Sequence, residues 1–395
     1  MQTRIPVTVL CGYLGSGKTT LLNYLLNSDH GYKIAVIVND MSEVNIDAEL
    51  VKQGGFSRAQ EELVQMQNGC ICCTLRGDLL KEVDRLSKLK SIDYILIEAS
   101  GISEPVPIAM TFICYDESQG VDLAEKTRLD TMVTVLDTHR FWSDFGKGDA
   151  IVTRQNEENV EEEDIMDLLI AQIEFCDVVL LNKCDLLSPE EVNQVETMIR
   201  TLQPEAKILR SVKGVVSPSE ILNTNRFDFE RAYNSAGWLK ELNREYHTPE
   251  TEEYGITSFV YEKVRPFHPQ RISDFLLEQF PDSVVRAKGF MWLPNYNDFT
   301  ILMEQAGRNI EISPMAYWAA TMPANDLEEY LKDEPELRKT WDKEYGDRRN
   351  QLVFIGIHLN RDEIIQQLDG CLMTDKEMRA DWESLPDPFQ WEIEG

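Results

Sequence analysis

Basic residues are few in this chain of 395: 39 Lys and Arg stand against 69 Asp and Glu, a formal net charge of −30 with a pI of about 4.5. That balance disfavours nonspecific binding to nucleic acid or to an anionic membrane, whereas a metal ion or a cationic partner is easily accommodated. Long apolar runs are also missing, and none approaches the roughly 20 residues that a spanning helix needs. The opening Met1-Gln2-Thr3-Arg4-Ile5-Pro6 is too quickly interrupted for a signal peptide. The expectation is a cytoplasmic protein with neither nucleic acid nor membrane as partner. Histidine is scarce and dispersed, at His30, His139, His247, His268 and His358, a pattern that suits structural roles. Cysteine is not scarce, but in such a compartment it supplies thiols or metal ligands rather than disulfides. Cys11, Cys114, Cys176, Cys184 and Cys371 are scattered and read as small core residues. No internal repeat is visible.

What is present starts with Gly12-Tyr13-Leu14-Gly15-Ser16-Gly17-Lys18-Thr19, a G-x-x-x-x-G-K-[ST] octet between the apolar run Val7-Thr8-Val9-Leu10 and the helix-like Thr20 to Leu26. Polyphosphate needs a loop whose backbone N–H groups point inward, which Gly12, Gly15, Ser16 and Gly17 provide, and Thr20 continues into a helix whose N-terminus adds its positive end. Lys18 is then the catalytic cation on the β/γ-phosphates and Thr19 a Mg²⁺ ligand. Asn182-Lys183-Cys184-Asp185 follows a second apolar run, where an N-K-x-D guanine reader belongs. A buried carboxylate at Asp185 accepts from the ring N–H and the exocyclic amine of guanine, a donor pair that adenine lacks. Asn182 and the Lys183 stem hold and cover the base, with Ser211, Val212 and Lys213 as a supporting loop. Glu98-Ala99-Ser100-Gly101 ends another strand-like run: Glu98 is placed to hold Mg²⁺ or position water, and Gly101 to let a backbone N–H approach the γ-phosphate.

Cys70-Ile71-Cys72-Cys73 is a different kind of signal. Three thiols in four residues arise by composition roughly 0.003 times per chain. Just before a helix from about Leu75, the dipole lowers their pKa, and thiolates bind soft metals such as Zn²⁺ or Cu(I). Three ligands leave a tetrahedral ion one short, with water, Asp40, Glu43 or a recipient protein as the fourth. A redox pair and buried structural cysteines are the alternatives.

Apolar strands at 34–38, 94–97, 132–136, 178–181 and 207–209 alternate with helical stretches, one opened by the capping box of Ser188 and Glu191, and predict an α/β domain with a parallel sheet over 1–225. A linker is expected at 226–255, then a smaller α+β domain with an antiparallel sheet over 256–373. Its strands are read at 257–261, 284–292, 316–322 and 351–357, and its helices at 269–280 and 362–372. A tail at 374–395 either docks by Trp382, Phe389 and Trp391 or stays disordered. The acidic run 157–164 reads as a solvated segment.

Taken together, the octet, Asn68-Gly69-Cys70-Ile71-Cys72-Cys73, Glu98-Ala99-Ser100-Gly101 and Asn182-Lys183-Cys184-Asp185 closely resemble the CobW-type metal-chaperone GTPases. Arg286-Ala287-Lys288-Gly289-Phe290-Met291-Trp292 is similar to the strand that marks that family's second domain. The stretch Val38 to Asp47 is most similar to the branch of bacterial zinc metallochaperones and nitrile hydratase activators. The resemblance implies a GTPase using GTP and Mg²⁺, with Zn²⁺ held at Cys70, Cys72 and Cys73 and passed to a client apo-metalloenzyme. A homodimer is compatible with it. A cobalt or iron chaperone, or a redox-regulated GTPase without metal delivery, are the alternatives. The histidine-rich tract of some relatives is absent, which argues against storage of many ions.

Overall fold

The computed structural model describes residues 4–39, 62–66, 75–89, 91–101, 103–113, 122–145, 168–236, 239, 255–306 and 309–391. They fall into two compact units that divide at Gly237. In the first, strands β1 (Ile5–Cys11), β2 (Ile34–Asn39), β3 (Glu62–Met66), β4 (Tyr94–Glu98), β5 (Thr127–Asp137), β6 (Val178–Asn182) and β7 (Lys207–Arg210) form a seven-stranded sheet in the order β3-β2-β4-β1-β5-β6-β7. Every pairing is parallel. Sequence reading leaves the edge strand β3 unassigned, because Glu62-Leu63-Val64-Gln65-Met66 is short and half polar.

Alternation along the strands sends side chains to two cores. Val7, Val9, Ile37, Ile95 and Ile97 pack with Leu79, Val83 and Leu86 of helix 75–87, and with Ile108 and Phe112 of helix 105–113. Leu10, Val36, Leu96, Val133, Val135 and Leu180 pack with Leu21, Leu22 and Leu25 of helix α1 (Lys18–Asn27). Each fully buried leucine stabilises the fold by about 1.5–3 kcal/mol relative to an exposed one. Covered on both faces, the central strands read as continuous apolar runs. The chain winds outward from β1 through β2 to β3, then returns to flank β1 with β4 and β5. The carboxyl end of β1 therefore lies where the winding reverses, the usual place for a ligand in such sheets.

Residues 226–236, expected to begin the linker, instead complete the first unit. The Arg226 and Phe227 N–H groups both donate to the Asp130 carbonyl, Arg231 pairs with Asp177 at 2.8 Å, and Ala232 enters the core.

The second unit carries an antiparallel five-stranded sheet, β11-β10-β9-β12-β8, built from β8 (Ile256–Lys263), β9 (Val284–Met291), β10 (Phe299–Ala306), β11 (Asn309–Tyr317) and β12 (Asn350–Ile357). Of the strand expected at 316–322 only Ala316 and Tyr317 pair, as the end of β11. The Asp347 carboxylate accepts the Ala319 and Ala320 N–H groups at 2.8 and 2.9 Å, which tightens that stretch into a turn. Pairing falls instead to 299–317, whose Glu304 is matched to Lys288 and Arg286 across β9 and so does not look apolar in sequence. The expected helix 269–280 is α-helical over Pro269–Asp274 and widens to a π-type turn at Phe275–Gln279.

The tail docks by its aromatics. Trp391 lies 4.9 Å from the Tyr296 ring and Trp382 6.2 Å from Trp292, centre to centre. It is fastened by Arg271, whose two terminal nitrogens bond Glu377 at 2.8 and 2.9 Å. Those bonds hold the Glu377 carboxyl far below its ordinary value of 4.5, against a smaller burial effect. A depressed carboxylate contributes stability above its unfolded pKa and loses it as pH falls. Glu377→Gln is therefore expected to lower the melting temperature at pH 7, with the gap from the unaltered chain closing as pH falls below 4.5; a gap independent of pH would assign it to packing.

Candidate functional site

The P-loop leaves β1 and enters α1 with no side-chain cap: Gly17, at φ 105°, is the residue before the helix. A Cβ at Gly17 would sit 2.2 Å from the Asn182 amide nitrogen, so glycine is required there by conformation and by space. The Lys18 ammonium, buried in the loop, donates to the Gly12 and Tyr13 carbonyls at 2.8 and 3.3 Å. Those carbonyls hold the cation at the cradle into which phosphate would come.

Asn182 joins the two halves of the site. Its amide N–H donates to the Ser16 carbonyl at 2.9 Å, and its oxygen accepts the Gly214 N–H at 3.0 Å. Lys183 takes a left-handed conformation, φ 60°, and its ammonium pairs with Asp137 at 2.6 Å. Around these residues lies a cavity of about 280 Å³ lined by Gly15, Gly17, Thr20, Asn182, Lys183, Asp185, Leu186 and Lys213. One cleft thus gathers the phosphate loop and the loop of Asn182-Lys183-Cys184-Asp185.

One expectation needs correction. Asp185 is exposed at the cleft rather than buried, because the short turn Cys184–Leu186 carries it outward from the end of β6. Lys213, which follows Ser211 and Val212 in the chain, lines the cleft. The Ser211 backbone is occupied in holding the loops together, its N–H donating to Leu181 at 2.8 Å and its carbonyl accepting from Cys184 at 3.2 Å.

Glu98, fully buried at the end of β4, accepts a hydrogen bond from the Thr19 hydroxyl at 2.7 Å. Register fixes that meeting, since β4 pairs with β1 at Leu10↔Glu98. A hydroxyl and a carboxylate side by side at a phosphate cradle are the hard oxygen donors that Mg²⁺ prefers. Gly101 touches the P-loop directly: a Cβ there would come within 2.8 Å of the Leu14 backbone nitrogen. The Ser100 and Ser103 hydroxyls bond each other at 2.6 Å, and Gln172 donates to the Ser103 carbonyl at 3.0 Å.

Cys70, Cys72, Cys73, Asp40 and Glu43, with the acidic run 157–164, lie outside the described residues. Among the described residues no group of three His, Cys, Asp or Glu is arranged to hold a metal. Three of the described thiols disfavour thiolate: burial pushes Cys11 up to about 12 and Cys371 up to about 11, and raises Cys176 as well. No helix of the described residues is long and apolar enough to cross a membrane.

Sequence reading missed Asp137 and Arg140. The signal was Asp137-Thr138-His139-Arg140 after a strand, an acceptor placed to cap the helix that follows.

The profile of the CobW/HypB/UreG nucleotide-binding domain matches residues 6–210, and that of the cobalamin synthesis protein cobW C-terminal domain matches residues 256–372. The chain belongs to the CobW family. Within it, the zinc-regulated GTPase metalloprotein activator 1 of Dictyostelium discoideum is 45% identical, over 99% of this chain and 85% of that relative. The zinc chaperone YjiA of Escherichia coli is 28% identical over 91% of this chain and 96% of its own length. The crystal structure of Zn(II)-bound YjiA GTPase aligns at a TM-score of 0.41 and 23% identity, covering 93% of this chain and 99% of that one. By its family matches and its own two sheets, this CobW-family chain combines a P-loop nucleotide-binding domain with a C-terminal antiparallel domain.

Proposed function

We propose that the protein is a GTP-hydrolysing zinc metallochaperone, which binds Zn²⁺ as cargo at Cys70, Cys72 and Cys73 and passes it to a client apo-metalloenzyme in the cytoplasm. The observation that carries the nucleotide half is the cleft in which Gly15, Gly17 and Thr20 of the phosphate loop face Asn182, Lys183 and Asp185, with the Asn182 amide bonded to the Ser16 carbonyl. Supporting the cargo half is the connection from β3 to helix 75–87, which contains the C-x-C-C motif. β3 runs parallel to β2 and β1 ends on the same sheet edge, so β3 delivers the chain to the edge where the P-loop stands. The zinc in the relatives' names agrees with this choice of cargo.

Mechanistically, Lys18 leaves the Gly12 and Tyr13 carbonyls for the β/γ-phosphates, and Asp185 and Lys183 hold the guanine. Thr19 and Glu98 would hold Mg²⁺, which would supply charge neutralisation to the phosphate oxygens. Gly101, in contact with Leu14, transmits to the segment after Glu98 whether the γ-phosphate is present. A conformational difference between the GTP and GDP states then biases the cysteine loop between holding and releasing the metal.

The test is a competitive zinc titration of the unaltered chain and of the triple variant Cys70→Ser, Cys72→Ser, Cys73→Ser, each with GTP and with GDP. The variant is expected to lose its stoichiometric zinc and to keep GTP affinity within about twofold. Unchanged zinc affinity would falsify the assignment of the cargo site; tighter cobalt or iron binding would redirect it to those metals; oxidation-dependent turnover without tight metal would make the cysteines redox groups.

A further inference from the structure

One helix touches both halves of the nucleotide site. It runs over Thr138–Phe145, directly from the end of β5, between the P-loop and the guanine-reading loop. On the base side, one oxygen of Asp137 accepts the Lys183 ammonium at 2.6 Å, the Thr138 hydroxyl lies 3.9 Å from the Cys184 sulfur, and the Trp142 indole N–H donates to Glu191 at 3.0 Å. On the phosphate side, the Arg140 guanidinium stands 4.4 Å above the centre of the Tyr13 ring. Asp137 ties the two sides together, because its second oxygen accepts the backbone N–H of Arg140 at 3.1 Å. Tyr13 in turn holds the P-loop through its carbonyl, which receives the Ser16 N–H at 3.1 Å and the Lys18 ammonium at 3.3 Å.

We propose that Lys183, Asp137, Arg140 and Tyr13 form a relay by which an occupied guanine site sets the P-loop for phosphoryl transfer, with Arg140 and Asp137 as positioning residues. The proposal rests on the GTPase reading above and adds residues to it that the nucleotide motifs do not contain. The Lys183 stem is expected to lie on the base, so a bound guanine fixes the ammonium and through it the Asp137 carboxylate. Asp137 caps the helix start and orients Arg140, and the guanidinium bears on Tyr13 by a cation–π contact, which strengthens as water is excluded. A base that does not engage Lys183 leaves Tyr13, and hence the Lys18 ammonium, less firmly placed. Small displacements at a phosphate cradle cost rate more than binding, since phosphoryl transfer depends on positioning.

Arg140→Ala, Tyr13→Leu and Asp137→Asn, with the double variant Arg140→Ala/Asp137→Asn, would be measured for kcat, for KM and for GTP and GDP affinity by titration. Each single variant is expected to lower kcat for GTP by roughly tenfold while GDP affinity changes less than about twofold. Arg140→Lys, which can still face the ring, should recover most of the rate. The double variant should be no slower than the slower single one, as members of one chain are not additive. If Arg140→Ala does not fold, Tyr13→Leu decides, because it keeps an apolar side chain and removes the aromatic face. A change in kcat of twofold or less, or losses that multiply in the double variant, overturns the relay while leaving the GTPase reading intact. An unaltered chain that binds no guanine nucleotide overturns both.

Discussion

Replacing Asp185 by Asn is expected to turn the nucleotide preference from GTP to XTP. A carboxylate offers two acceptors, and guanine offers two donors on one edge, the ring N–H and the exocyclic amine. Asparagine offers one acceptor and one donor. Against guanine its amide nitrogen meets the exocyclic amine, donor to donor, so one hydrogen bond is lost and one polar group is left facing another. Xanthine carries a carbonyl where guanine has the amine, so the ring N–H and that oxygen pair with the Asn oxygen and nitrogen. A fully buried site built on such a pair discriminates by 10⁴–10⁵. Asp185 is exposed at the rim of the cleft before the base arrives, and water competes there. The expected inversion is therefore smaller, with GTP weakened by roughly 10²–10³ and XTP gaining over the unaltered chain. Titration of both chains with both nucleotides decides it. A variant that still prefers GTP would remove Asp185 from base recognition and leave Asn182, Lys183 and Lys213 to account for it.

The placement of that loop was legible because two independent signals agreed, a strand-like apolar run and N-K-x-D at its end. Glu98 was legible for the same reason, since a strand of the sheet ends on it. What escaped lay where one residue's meaning depends on a distant partner. The stretch around Arg140 marks a helix start but not a partner, and only the fold brings Tyr13, over a hundred residues earlier, beneath its guanidinium. The hairpin of β10 and β11 escaped because Glu304 breaks the apolar pattern, and the residue that explains it, Lys288, is on another strand. The reverse error at 318–322 came from an apolar stretch whose backbone donors Asp347 had already taken. Local pattern identifies a residue's type of surroundings; it does not identify the partner.

Charge sets this site apart from the rest of the chain. A protein of net charge −30 repels a nucleoside triphosphate at long range, and this site sets Lys183 and Lys213 on the cleft, Lys18 on the phosphate loop and Arg140 over Tyr13 of that loop. Local cations within a few ångströms outweigh distant carboxylates, which salt screens beyond about 8 Å under physiological conditions. Affinity for GTP should accordingly depend only weakly on ionic strength once that screening is in place, while the acidic surface favours a divalent cation and disfavours an acidic client.

The same electrostatics makes Glu98 the position where the smallest change in shape should have the largest effect on rate. Glu98→Gln keeps the volume of the side chain and an oxygen to accept from the Thr19 hydroxyl, a contact of 2.7 Å in the fully buried end of β4. The fold is expected to tolerate the variant, because the paired neighbours Leu10 and Val38 are unaffected by an amide in place of a carboxylate and no buried charge remains to be solvated. Lost is the negative charge that draws Mg²⁺ to Thr19 and holds it, directly or through water. Preorganised charge in a water-excluded site is worth about 10²–10³ in rate, so kcat for GTP should fall by that factor. Raising Mg²⁺ should restore nucleotide binding and leave kcat low, since the ion can be supplied by mass action but its orientation cannot. Single-turnover hydrolysis across a Mg²⁺ series separates the two. If kcat stays within about threefold, Glu98 is only the acceptor that anchors Thr19, and the carboxylate acting on the metal or the water must be sought on another element.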